Sequence, residues 1–406
     1  MAWMRTAFRR TVPALLLAGL AASSRAEAQE SFVDRTLAAQ TRLTARLIDR
    51  LQAKGTENVI VSPAGVASAF ALLDVGTSES YRAAARNVLG FDARHAAATD
   101  FEDLRDSIAT IDKAADGAGS VFSFANAAVF DPRLNVRADI LPRMRETRAD
   151  VSVQSLADAA TVQAINGWVA SKTRGLIPTI VDDSIGGMRL IVLNALSFKD
   201  DWAVAFDKAR TLPAPFHNAA GTVSDVPMMH ARMATPFRSD GRFAAIDLRY
   251  KSDRFSLVLV TTRDGPANFA EFAGVLDWLS GNAFEPADVG LQMPRFTLRQ
   301  SFDVLPALDA AGLAAARRAH DAFSPMAVDP VDISAVLQKI YLGINEQGTE
   351  AAAVTSVMVR AATVAPRLKS ETLAIDRPFL FALRDRMTGL ILLSGYLGRI
   401  PAEATQ

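Results

Sequence analysis

The chain has 406 residues, half of them hydrophobic, and its 44 basic and 44 acidic side chains cancel at neutral pH. A chain of this length buries a large core, and zero net charge gives it no general attraction to nucleic acid or to an anionic membrane surface. Cysteine is absent, which excludes disulfides, cysteine-ligated zinc and a cysteine nucleophile together.

The N-terminus reads as a tripartite export signal: Arg5, Arg9 and Arg10, an apolar run from Val12 to Ala22, then Ala26-Glu27-Ala28 before Gln29. The apolar run is about half of the roughly 20 residues that a membrane-spanning helix needs, so cleavage after Ala28 is expected. Residues 29–406 are then the mature chain. No later stretch is long and apolar enough to span a bilayer, and without cysteine there is no lipobox. The sequence thus points to a secreted or periplasmic protein with neither a membrane nor a nucleic acid as partner.

Phe32, Leu37, Leu43, Leu47 and Leu51 fall mostly at helical spacings and Gly55 follows, predicting a first helix over 32–51. Asn58-Val-Ile-Val-Ser62-Pro63 is a short β-branched strand that runs into a helix start, since Ser caps helices and Pro suits their first turn. Helical patterns continue to about residue 115. A strand is expected over Val121 to Phe130, and Val162, Ile165 and Val169 mark one face of a helix that Lys172, Arg174, Gly175 and Pro178 end. From Leu190 onward the chain is mainly β, with strands at Leu190 to Leu196, Ala244 to Leu248, Ser256 to Thr261 and Val289 to Leu298. Phe379 to Leu383, a turn through Asp385 to Gly389, and Leu390 to Leu397 form a C-terminal hairpin. Helices first and strands later, without alternation, argue for an α+β fold.

Catalytic patterns are scarce. The four histidines, at 95, 217, 230 and 320, have no metal-ligand spacing, and surface or hydrogen-bonded roles suit them better. There is no G-x-S-x-G elbow, no phosphate-binding glycine loop and no dinucleotide turn. Ser62 reads as a helix cap rather than a nucleophile, and the pairs Asp182-Asp183 and Asp200-Asp201 as solvated turns. No metal, no cofactor and no enzymatic activity are expected.

The segment Glu346 to Pro366 carries more information. Read locally, Gly348-Thr349-Glu350 followed by Ala351, Ala352 and Ala353 is a capped helix start. Read with period 2, Thr349, Ala351, Ala353, Thr355, Val357 and Val359 share one face, and Glu350, Ala352, Val354, Ser356, Met358 and Arg360 the other. Suitability for two conformations is the mark of a switch.

This segment resembles the reactive loop of the serpin family, whose hinge follows a Glu-x-Gly-Thr/Ser-Glu-Ala-Ala-Ala pattern, here Glu346 to Ala353. Other motifs are similar in the same order: Asn58 to Pro63; Ile165-Asn-Gly-Trp-Val169 with Thr173, Gly175 and Ile177; Asn194-Ala-Leu-Ser-Phe198 with Trp202 and Phe206; Val226-Pro-Met-Met229; Met293-Pro-Arg-Phe296; Asp376 to Phe381; Gly395 and Pro401. The resemblance covers residues 31 to 401 and implies one serpin domain of bacterial secreted type, with about nine helices, three β-sheets and an exposed loop near 346–366. It further implies a suicide-substrate inhibitor of serine proteases that acts as a monomer: the loop is cut, an acyl-enzyme forms, and the loop inserts into the main sheet. The alternative is a non-inhibitory binding or chaperone-like protein, against which the small hinge residues speak.

By the same resemblance, Glu346 precedes the hinge and pairs with Arg295 on a neighbouring strand, at the top of the insertion slot. Ser62, Asn194 and Trp202 match positions where the sheet opens. Gln338, in Val336-Leu-Gln-Lys339, departs from the family's frequent His, which implies a lost pH response. Family spacing puts the scissile bond at Ala362-Thr363, with Arg360-Ala361 and Thr363-Val364 as alternatives. A small residue there suits an elastase- or subtilisin-like protease, and Arg360 a trypsin-like one. The helix that binds heparin in some members should lie near 80–93, where Arg82 and Arg86 are the positive charges, so polyanion activation is not expected.

Overall fold

In the computed structural model, which describes residues 15–52, 57–91, 100–117, 121–147, 149–349 and 368–402, eight α-helices and fifteen strands are found. Helix α1 (Leu15–Gln52) runs past both ends of the expected helix and, in the uncut chain, across the expected cleavage site. Strand β1 (Asn58–Val61) leads into α2 (Pro63–Leu73), where the Ser62 hydroxyl accepts from the Gly65 amide at 2.9 Å. All residues of α2 are buried, so this is the central core helix. Helices α3 (Glu79–Val88) and α4 (Asp100–Gly117), strand β2 (Val121–Phe130), helix α5 (Ile140–Glu146), strand β3 (Asp150–Val153) and helix α6 (Ala159–Lys172) follow. Helix α6 ends as the sequence predicts: Gly175 takes φ of 84° and its amide reaches Ala170 O at 2.7 Å.

The second half supplies β4 (Leu190–Asp201), β5 (Leu212–His217), β6 (Val223–Ser239), β7 (Phe243–Arg249), β8 (Phe255–Thr262), a helical segment Phe269–Ser280, β9 (Glu285–Pro294) and β10 (Phe296–Asp303). Short helices α7 (Leu305–Leu308) and α8 (Ala314–Arg317) precede β11 (Ala335–Ile344), β12 (Gly348–Thr349), β13 (Lys369–Ala374), β14 (Phe379–Asp385) and β15 (Ile391–Leu397). The expected single strand from Val289 to Leu298 is two strands in two sheets. The chain leaves one sheet at Pro294 and enters the other at Phe296, with Arg295 as the joint. Arg295 is therefore not within a strand, as had been expected.

One sheet has the order β10-β11-β12-β4-β2-β3, with β11 also paired directly to β4. The other strands form a nine-stranded surface in two parts. The long β6 pairs with β5 and β9 along most of its length and with β7 over Phe237 to Ser239, joining the parts. The C-terminal hairpin β14–β15 lies inside this surface. The fold is α+β.

Alternation places the faces of the six-stranded sheet. Ile191, Leu193 and Ala195 of β4 pack with Ala125, Ala127 and Val129 of β2 beneath Ile165 and Val169 of α6. Leu190 and Val192 pack on the opposite face with residues of α1 and α2. Asn194, in phase with them, faces α2, and Gly65 of that helix makes room for it. A Cβ on Gly65 would stand 2.1 Å from Asn194 Oδ1.

Candidate functional site: the seam between β4 and β11

The parallel strands β4 and β11 pair directly from Ile191–Ala335 to Ser197–Tyr341. Above that point the sheet forks and β12 lies in the fork, antiparallel to both: Thr349 stands opposite Ile344 and Asp200, and Gly348 opposite Asp201. Glycine is required here, because a Cβ on residue 348 would sit 2.1 Å from Asp200 O. Two of the residues expected to form a hinge are thus strand residues. Thr349, whose insertion was expected to begin from a solvent-exposed loop, is instead fully buried at 0% exposure.

The reversal from β11 to β12 is held from several sides. Asn345 Oδ1 accepts from the amides of Gln347 (2.9 Å) and Gly348 (3.1 Å). The Trp202 indole donates to Asn345 O at 2.9 Å, its amide to Gln347 O at 2.7 Å, and the Phe206 amide to Glu346 O at 2.8 Å. Glu346 Oε1 accepts from Arg295 Nη1 at 3.1 Å and from Thr211 Oγ1 at 2.8 Å. The Glu346 side chain is only 6% exposed. Such a pair differs from a surface salt bridge, since losing one partner strands a buried charge. Asp200 is not in a solvated turn either. It is a buried residue of β4 whose carboxylate accepts from Ser252 Oγ at 2.6 Å. Asp182 and Asp183 do lie exposed in a turn, Asp182 capping it through Ser184.

Beneath Thr349 is an aromatic ladder. Tyr250 stacks on Trp202 with centroids 4.5 Å apart and meets the edge of Phe198 at 4.9 Å. Its hydroxyl lies 2.5 Å from Thr349 Oγ1. Burial raises the Tyr250 pKa far beyond the ordinary phenol value, so it stays neutral.

Lower in the seam, Asn126, Asn194 and Gln338 stand side by side on β2, β4 and β11. Asn194 Nδ2 donates to Asn126 Oδ1 (2.8 Å), and Gln338 Nε2 to Asn194 Oδ1 (3.0 Å). Gln338 also grips the backbone of Ser62, taking its amide at 2.8 Å and donating to its carbonyl at 3.1 Å. Ser62 Oγ in turn donates to Leu392 O at 2.6 Å. Gln338 is 1% exposed, and every link in this chain is neutral.

Among the residues singled out from the sequence, Ser62, Asn194 and Gln338 meet in one cluster, and Trp202, Arg295, Glu346, Gly348 and Thr349 in another. Glu350 to Ala353 of the hinge and every alternative for the scissile bond, from Arg360 to Val364, lie outside the described residues. Sequence reasoning missed Asn126, Gly65, Thr211, Asn345 and Tyr250. Of the histidines, His217 and His320 are exposed, His230 faces the carbonyls of Arg210 and Met228, and His95 lies outside the described residues. Arg82 and Arg86 both pair with Glu79 on α3. Among the described residues no group of three metal-ligating side chains converges, and no helix is long and apolar enough to cross a membrane.

Comparison with known proteins agrees with this geometry. Residues 38–399 match the model of the family described as Serpin (serine protease inhibitor). The leukocyte elastase inhibitor of Equus caballus is 27% identical over 359 residues, 84% of this chain and 92% of that protein. Human thyroxine-binding globulin, solved in complex with thyroxine, superposes with a TM-score of 0.79 at 21% identity, covering 91% of this chain and 100% of that one. The thermophilic serpin tengpin in its native state gives 0.75 at 23%, covering 90% and 94%. A fork holding the start of a third strand, set in this fold and matched along nearly the whole chain, makes the protein a member of the serpin family.

Proposed function

We propose that the protein inhibits a serine protease as a suicide substrate rather than acting as an enzyme. The observation that carries this reading is β12, two residues of a new strand seated between β4 and β11 while those strands still pair directly below. The protease serine attacks the carbonyl carbon of Ala362, the bond to Thr363 breaks, and Thr363 leaves as a new amino terminus. The ester on Ala362 holds the protease. The freed segment then continues β12 down the seam, and roughly a dozen new ladder bonds at about 0.5 to 1.5 kcal/mol each give a downhill step of order 10 kcal/mol. The intact fold is kept from this release by a kinetic barrier. Insertion of the reactive loop into the main sheet is a known property of serpins, to which this reading assigns the chain.

The small residue Ala362 favours an elastase- or subtilisin-like target, in keeping with a relative named for elastase inhibition. Cleavage at Arg360-Ala361 would instead mark a trypsin-like one, and Thr363-Val364 remains the third position. The signal at the N-terminus supports export, with a mature chain that starts at Gln29. Incubation with a panel of serine proteases, followed by denaturing gels and mass measurement of the released C-terminal peptide, tests the reading. A covalent band and a peptide starting at Thr363 are expected. Cleavage without any covalent band, across the panel, overturns it in favour of a non-inhibitory member.

A further inference from the structure

We propose that Tyr250 is the positioning residue that seats the hinge, and that through Thr349 it fixes the register in which the loop enters the sheet. This rests on the insertion reading above. The Tyr250 and Thr349 hydroxyls are 2.5 Å apart, and both residues are at 0% exposure. Neither hydroxyl has a second hydrogen bond among the described residues. One donates to the other in a site walled by Trp202 and Phe198, so each has its one hydrogen-bond partner in the other. Withdrawal of the hinge would leave the Tyr250 hydroxyl buried and unpaired, which is costly where water is excluded.

The neighbouring residues show why this sets register. A slip of one residue would present Gly348, which has no side chain, or Glu350, which would bring a carboxylate into a dry aromatic site. A slip of two would present Ala351 or Gln347, the first without a hydroxyl and the second far larger than the space that Thr349 fills. Thr349 alone in this stretch matches Tyr250 in size and chemistry. Register matters because a one-residue shift turns every core-facing side chain of the incoming strand outward. With Thr349 opposite Asp200, the alternation puts Ala351 and Ala353 on the core side. The first residue pair of a strand is the expensive one to form, and here it exists before cleavage. Insertion then needs propagation only, which shortens the interval in which the acyl-enzyme can hydrolyse.

Two readouts test this on the full-length protein: hydrogen exchange of the Gly348 and Thr349 amides before cleavage, and the number of inhibitor molecules consumed per protease trapped. Tyr250→Phe should speed exchange about tenfold, the order set by one orphaned buried hydroxyl, and raise the consumption ratio severalfold at an unchanged rate of loop cleavage. Thr349→Val should do the same. The double variant should recover towards wild type, because two apolar groups of the same shape leave no orphan, and Thr349→Ser should behave as wild type. Exchange unchanged in Tyr250→Phe, or additive damage in the double variant, overturns the proposal. If the wild-type protein traps no protease, the inhibitor reading falls, while the exchange cycle still decides whether Tyr250 seats the hinge.

Discussion

At its upper end the seam between β4 and β11 has already admitted two residues of a third strand, whereas at Asn194 and Gln338 the two strands still meet. The upper end is held by the ion pair on buried Glu346, an Asx-type turn at Asn345 and a pair of hydroxyls, none of which bridges the directly paired part of the seam. The lower end is held by neutral amides that cross the seam itself, so an entering strand must part Gln338 from Asn194. On the proposed insertion mechanism, the first region would invite a strand and the second would delay it. That mechanism needs both, since release must be favourable but slow.

The largest effect should come from Thr349→Arg. Because Thr349 is buried in the intact protein, the arginine acts before any cleavage, and a guanidinium has no partner beside Tyr250. The cost of several kcal/mol should drive the hinge out of the fork. The loop should still be cut at its normal rate, yet the protease should go free, with inhibitor consumption rising about tenfold or more. The gain in melting temperature on cleavage should shrink in parallel. Undiminished covalent trapping by this variant would mean that the fork is not the entry point.

Gly65→Ala attacks the lower region alone. Its Cβ would stand 2.1 Å from Asn194 Oδ1, so the carboxamide must swing away and lose its bonds to Gln338 and Asn126. About 2 to 3 kcal/mol of native stability should be lost, measurable by denaturant unfolding. Exchange of the Gly348 and Thr349 amides should not change. If those amides become exposed as well, the two ends of the seam act as one unit and the contrast drawn here fails.

Local chemistry made much of this legible in the sequence. Ser62-Pro63, the strand from Val121 to Phe130, the end of α6 at Gly175 and the C-terminal hairpin each announce themselves within a few residues. The strand place of Thr349 was legible in the period-2 reading, whose continuation from Glu350 lies outside the described residues, and the resemblance singled out Glu346 and Arg295 as a pair. The strand switch at Arg295 was read through, although it has a signal: the apolar alternation changes phase there, from Val289, Leu291 and Met293 to Phe296 and Leu298. The 17-residue β6 was hidden by its own prolines and charges, Pro227, Arg232 and Pro236 among them. Tyr250 lies 99 residues from Thr349 in the chain. No periodicity connects two such positions; only the aromatic ladder beneath the fork does.

Gln338→His should sharpen the lower region with a smaller effect. In the wild type the Ser62–Gln338–Asn194 network has nothing to titrate, so its contribution should be flat from pH 5 to 8. An imidazole in that buried site is held neutral by desolvation, and stability should fall as pH drops below about 6.5 and protonation is forced. The wild-type acid limb lies lower. Arg133 hydrogen-bonds the Asp131 carboxylate and holds its pKa at about 2, below the ordinary 3.8. Stabilisation from that pair is complete above about pH 4 and lost as pH falls towards 2. Melting temperatures across pH 2 to 8 for both proteins check this, and equal slopes between pH 5 and 7 would contradict it.

The smallest effect concerns the cover over the seam. Helix α6 lies on the outer face, with Trp168 Nε1 bound to Asp150 of β3 at 2.8 Å and Asn166 clamping the amides of Ile180 and Val181. Beyond the helix, Thr179 accepts from Lys339 of β11 at 3.1 Å, so the cover reaches across the seam. An entering strand moves β11 from β4 by about one strand spacing, roughly 4.8 Å, which that bond cannot span. In the middle of this helix is Gly167, whose added Cβ would meet nothing within 4 Å. Glycine there costs roughly 0.5 to 1 kcal/mol relative to alanine, without any turn or close contact that requires it. Gly167→Ala should stabilise the intact form by that amount in denaturant unfolding and leave hinge exchange unchanged, because the helix is anchored to β2, β3 and β4 and not to β12. Inhibitor consumption should rise less than twofold, since a stiffer cover yields more slowly to the passing strand. If stability rises and consumption does not, the cover travels with β4, and the delay in the lower seam belongs to the amide ladder alone.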